Sequence, residues 1–186
     1  HIATHGFYYA NQNIGKRVSL DNTFNRLFRN SSNEYFQPLN EDKMLTRSGL
    51  ILAGANNTLK RIKLPVGVED GILYANEAAN LNLSKTDLLV LSACQSGLGD
   101  IASSEGVFGL QRGFKLAGVN SIIMSLWKVN DEATQILMSS LYENIAAGQT
   151  TREALTNAQL SLRTTDAGRF DYPEFWAGFI LLDGLN

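Results

Sequence analysis

The chain has 186 residues, 44% hydrophobic and 18% charged, enough for one sizeable core and short for two. Its formal net charge of -2 carries no basic excess that would call for a nucleic acid or an anionic membrane as partner. The longest apolar stretches, such as Gly118 to Trp127, are broken by Asn120 and Ser121 and fall far short of a membrane span.

Cysteine usage narrows the chemistry. Cys94 is the single cysteine, so no internal disulfide forms and a reducing, cytoplasmic setting is expected. With two histidines and no Cys/His cluster, neither a metal nor another cofactor is expected.

In chain order, His1 to Gly6 suggests a strand that ends at a glycine, and residues upstream of it are expected to complete the domain. Residues 7 to 48 are polar and lack sustained periodicity, which predicts long loops with one short helix; such a stretch is usually functional or mobile. Gly49 to Ala53 is a short apolar run suited to a buried strand. Asn56 to Val68 is basic and irregular, an excursion, and Asp70-Gly71 is expected to open a helix through about Leu81. Asp87 to Ser92 is a second continuous apolar run, and continuity implies that both faces are covered, as in a parallel sheet flanked by helices.

The second half alternates clearly. Val107, Leu110, Phe114 and Ala117 fall on one helical face, with Gly118 as the stop. Val119 to Leu126 is a third buried strand. Ala133, Leu137, Leu141 and Ile145 recur every fourth residue up to Gly148. Thr150 and Glu153 have capping-box spacing ahead of Ala154, Leu155, Ala158 and Leu162. Trp176 to Leu182 is the expected final strand. Strands alternating with helices predict an α/β layered sheet.

Ligands of open parallel sheets bind beyond the carboxyl ends of the strands. His5 closes one predicted strand and Cys94 and Asp131 follow two others, so the topology predicts their convergence on one edge. Cys94 is either a buried structural thiol or a working one; Gly97 and Gly99 mark a turn that would present it at a strand end. His1 competes with His5 for that thiol, but about 13 Å of strand separates them, so one alone can serve. The strand-end position and the adjacent Gly6 favour His5.

His-Ile-Ala-Thr-His-Gly (1–6), Leu-Ser-Ala-Cys-Gln-Ser-Gly (91–97), Ser-Leu-Trp-Lys-Val-Asn-Asp (125–131) and Phe-Trp-Ala-Gly-Phe-Ile-Leu (175–181) resemble the successive blocks of CHAT domains. These are relatives of caspases, gingipains and separase. Gly49 to Asn56 and Asp70 to Glu77 fit the intervening blocks. The resemblance implies a caspase-like three-layer α/β sandwich with a mostly parallel central sheet flanked by helices. Residues 1–186 would be the C-terminal catalytic part of such a domain, its N-terminal part lying upstream.

It also implies a cysteine endopeptidase. Cys94 would attack the scissile carbonyl and His5 would serve as general acid to the leaving amine. The N–H groups of Gly6 and Cys94 would form the oxyanion hole, where losing one donor typically costs ~10²–10³ in rate. Asp131 has two readings: a helix-opening carboxylate beside Asn130 and Glu132, or a specificity acid. In separase-like relatives the acid of a similar Leu-Trp-x-Val-x-Asp block binds an arginine, which would select Arg or Lys at P1. Ser125 and Trp127 would line the cleft, although core packing is the role that suits Trp127 better. The run Lys60-Arg61-Ile62-Lys63 suits a solvated loop or a self-processing site.

The expected partners are a polypeptide substrate and a regulatory helical-repeat domain of the TPR type, with no nucleic acid and no membrane. Two other functions use the same residues differently. One is a catalytically idle caspase-like scaffold; the other is a cysteine amidase or transpeptidase acting on a non-protein amide.

Overall fold

A computed structural model describes residues 1–8, 45–92, 94–95 and 104–184, with the backbone alone at 8, 94, 95 and 104–108. The expected loops and short helix between residues 7 and 48, and the turn at Gly97 and Gly99, lie largely outside the described residues.

The described elements are strand β1 (His5–Tyr8), strand β2 (Ser48–Ile51), helix α1 (Ala55–Leu59), strand β3 (Ile72–Tyr74), helix α2 (Ala75–Ala78), strand β4 (Leu88–Leu91) and strand β5 (Cys94–Gln95). They continue with helix α3 (Ser104–Leu116), strand β6 (Ser121–Ser125), helices α4 (Asp131–Ala146) and α5 (Thr151–Thr164), a short 3-10 turn (Thr165–Gly168), helix α6 (Pro173–Trp176) and strand β7 (Phe179–Leu182).

Periodicity located most of these. The buried face of α4 is Ala133, Leu137, Met138 and Leu141, and that of α5 is Ala154, Leu155, Ala158 and Leu162. Gly118 (φ 100°) and Gly148 (φ 88°) follow α3 and α4 in the left-handed conformation that a residue with a Cβ avoids. The capping box at the start of α5 is present: the Thr150 N–H donates to Glu153 Oε2 at 3.0 Å, and the Glu153 N–H donates to Thr150 Oγ1 at 3.3 Å. The Thr150 hydroxyl, which donates to Glu153 Oε2 at 2.7 Å, and after it the Thr150 N–H hold the Glu153 carboxyl below its ordinary range.

Three local expectations need correction. Asp70-Gly71 does not open a helix. Gly71 turns at φ 76° into β3, and of the expected span Ala75–Ala78 is helical. The excursion after Gly54 contains α1, and the final strand begins at Phe179 because Pro173 starts a helical turn first.

The mostly parallel central sheet of a caspase-like three-layer sandwich is also corrected. Among the described residues the strands form two sheets, ordered β3-β2-β1-β5 and β4-β6-β7. The β1–β5 and β4–β6 ladders are parallel, whereas β1–β2, β2–β3 and β6–β7 are antiparallel. The physical reason is in the connections. Among the described residues one helix, α3, lies on the path from β4 back to a parallel β6. Two successive helices, α4 and α5, pack on one another between β6 and β7 and return the chain from the opposite end, so β7 runs antiparallel. Continuous apolar runs report that both faces are covered; they do not report strand direction.

Both faces are indeed covered in the second sheet. Leu89, Leu91, Ile122 and Met124 pack with Leu110 and Phe114 of α3 on one side. Val90 and Ile123 pack with Leu137, Leu141, Leu155 and Leu162 on the other. Each fully buried side chain of this kind contributes roughly 1.5–3 kcal/mol. Leu50 of β2 joins the first cluster, which ties the two sheets to one core.

Candidate active site

The first strand pair sets the geometry. β1 and β5 run parallel with His5 and Cys94 as Cα partners and Gly6 opposite Gln95. Adjacent strands lie ≈ 4.8 Å apart, so residues 5 and 94 are lateral neighbours in one sheet. The register begins earlier in the chain. Ile2 bridges Leu91, with the Ile2 N–H donating to Val90 O at 2.8 Å and the Ser92 N–H to Ile2 O at 3.0 Å. The same offset joins Ile2 to Leu91, His5 to Cys94 and Gly6 to Gln95.

His5 differs in one respect from expectation: it opens its strand instead of closing one. Its side chain is exposed, while Gly6 and Phe7 behind it are buried. On the other flank His5 is partnered with Ile51 of β2, and the Thr4 hydroxyl donates to the Ile51 carbonyl. The histidine is therefore presented from a strand anchored on both sides. Cys94 opens β5, three residues past the last ladder partner of β4.

His1 has partners of its own. Its Nε2 lies 2.7 Å from Ser92 Oγ and its Nδ1 lies 3.0 Å from the hydroxyl of Tyr142 on α4. The rings of His1 and Tyr142 are tilted at 39° with centroids 5.9 Å apart. Burial raises the Tyr142 pKa above its ordinary value. The Ser92 and Tyr142 contacts escaped the sequence analysis, because nothing in the spacing of residues 1, 92 and 142 announces them.

The remaining candidates stand on the connection after β6. The β4–β6 ladder ends at Leu91 and Met124, so Ser125 follows one residue beyond, on the edge where Ser92 follows Leu91. Ser125 is buried and faces Phe179 in the β6–β7 register. Trp127 is 37% exposed, and its indole N–H donates to the Glu174 carbonyl at 3.2 Å, so it is not a core residue. Asp131 is the exposed first residue of α4. Asn130 is the N-cap, its side chain accepting from the Ala133 N–H at 3.0 Å. Asp131 is left as a first-turn acid, favourable to the helix dipole and free of capping duty.

Among the described residues no group of three or more His, Cys, Asp or Glu side chains is placed to hold a metal ion. Among them, too, no helix is long and apolar enough to cross a membrane.

Comparison with known proteins extends the pattern. Tetratricopeptide repeat protein 28 of Mus musculus is 30% identical over 111 residues, 60% of this chain and 4% of that protein. Its Homo sapiens counterpart is 29% identical over 115 residues, 62% of this chain and 4% of that protein. The chain thus spans a small fraction of the relatives it matches. No solved structure matches it. The CHAT domain model matches residues 1–184, essentially end to end, and the chain belongs to the CHAT domain family.

Proposed function

We propose that this CHAT domain is a cysteine endopeptidase that cuts after Arg or Lys. The parallel register in which His5 and Cys94 are partners carries the proposal. Two residues 89 positions apart in sequence, one a proton carrier and one the chain's sole thiol, are lateral neighbours on a sheet.

In this mechanism the Cys94 thiolate attacks the scissile carbonyl carbon, and the C=O electron pair moves onto oxygen. The N–H groups of Gly6 and Cys94 donate to that oxyanion. As the C–N bond breaks, the His5 imidazolium gives its proton to the departing amine. Water, deprotonated by the now neutral His5, then attacks the thioester and frees Cys94. Asp131 supplies the carboxylate that pairs with the P1 guanidinium or ammonium, while Ser125 and Trp127 flank it. Relatives named for tetratricopeptide repeats support a regulatory repeat domain as partner.

Fluorogenic peptides with Arg, Lys, Asp or Leu at P1 test this in the intact protein. Turnover of the Arg and Lys peptides is expected, abolished in Cys94→Ala and lowered in Asp131→Ala mainly through KM. Absence of turnover with every peptide removes the peptidase and leaves the idle scaffold or an amidase acting on a non-protein amide. Turnover that survives Cys94→Ala removes the thiol mechanism.

A further inference from the structure

Resting on that dyad, we propose that His1, held between Ser92 and Tyr142, is a positioning residue that sets the register of the two strands carrying His5 and Cys94. Among the described residues the β1–β5 ladder holds two residue pairs, too few to be stable on their own. It continues the bridge at Ile2 and Leu91, and His1 and Ser92 are the residues flanking that bridge. The 2.7 Å contact between the His1 ring and the Ser92 hydroxyl therefore cross-links the two chain segments just before they reach residues 5 and 94.

The 3.0 Å contact to Tyr142 attaches the same ring to α4, the helix whose first residue is Asp131. One imidazole thus ties together the strand of the proposed acid, the strand of the proposed nucleophile and the helix of the proposed specificity carboxylate. Serine and tyrosine hydroxyls both donate and accept, so the ring is satisfied in either tautomer and when protonated. That suits a permanent fastening; a proton carrier would change partners as it titrates. A slip of one residue between β1 and β5 would send residues 5 and 94 to opposite faces of the sheet.

The test uses the intact protein. His1→Ala and Ser92→Ala are expected to lower kcat about 10- to 100-fold with KM little changed, the size of effect that misplacement by about 1 Å produces. Tyr142→Phe is expected to do less. Ser92→Thr, which keeps the hydroxyl, is expected to restore most of the rate. The double variant is expected to be no worse than His1→Ala alone, since that change already removes the bond to Ser92. Unchanged kcat in His1→Ala and Ser92→Ala, while His5→Ala abolishes turnover, overturns the positioning role and leaves the dyad intact. If the wild type turns over no peptide, the peptidase assignment fails separately, and amide exchange decides the positioning role. Exchange of the residue 92 N–H at least tenfold faster in His1→Ala supports the fastening; an unchanged rate overturns it.

Discussion

The strand pair β4–β6 and the strand pair β1–β5 are both parallel, yet they are built to opposite specifications. The first has four ladder pairs, with apolar side chains covered on both faces by α3, α4 and α5. The second has, among the described residues, two pairs and an exposed histidine. The contrast teaches a division of labour: the buried pair supplies rigidity, and the short pair borrows it through the Ile2–Leu91 bridge and the His1 fastening. Functional residues on a short, weakly self-supporting ladder are expected to be energetically cheap to replace and chemically costly.

That contrast is open to measurement. The largest stability effect is expected in the buried half. Phe114, 1% exposed against β4 and β6, should cost about 3–5 kcal/mol when changed to Ala, read by denaturant unfolding. A loss below 1 kcal/mol would mean that α3 is not part of the cooperative core. His5→Ala should move stability by no more than about 0.5 kcal/mol, as exposed positions do, while removing a general acid's ~10²–10⁴ in rate. A large drop in melting temperature in that variant would erase the distinction between the halves.

The smallest effect is at the cap of α5. Glu153 is lowered in the folded state, so the stability it adds is present above the ordinary glutamate value and is lost as pH falls through the lowered one. Glu153→Gln should therefore melt earlier than wild type at pH 7, and the gap should close as pH drops below about 4.5. A gap that stays constant into acid would show that the carboxylate charge is not what the cap uses.

Much of the framework was legible in residue order. The fourth-residue repeats of α4, the capping box of α5, the glycines that end α3 and α4, and the apolar runs of β4 and β6 each depend on neighbours close in sequence. Local chemistry is enough to place them. Cys94 and His5 could be nominated because a lone thiol and a histidine beside a glycine are rare enough to stand out.

Direction and partnership were not legible. Whether β7 runs with or against β6 depends on the packing of the α4–α5 pair, and a strand's composition is the same either way. That residue 5 pairs with residue 94, and that Ser92 and Tyr142 take up His1, are matters of long-range register. Periodicity records which side of an element faces the core. Only the folded chain decides which distant element lies beside it, because that choice is made by the packing of all the elements together.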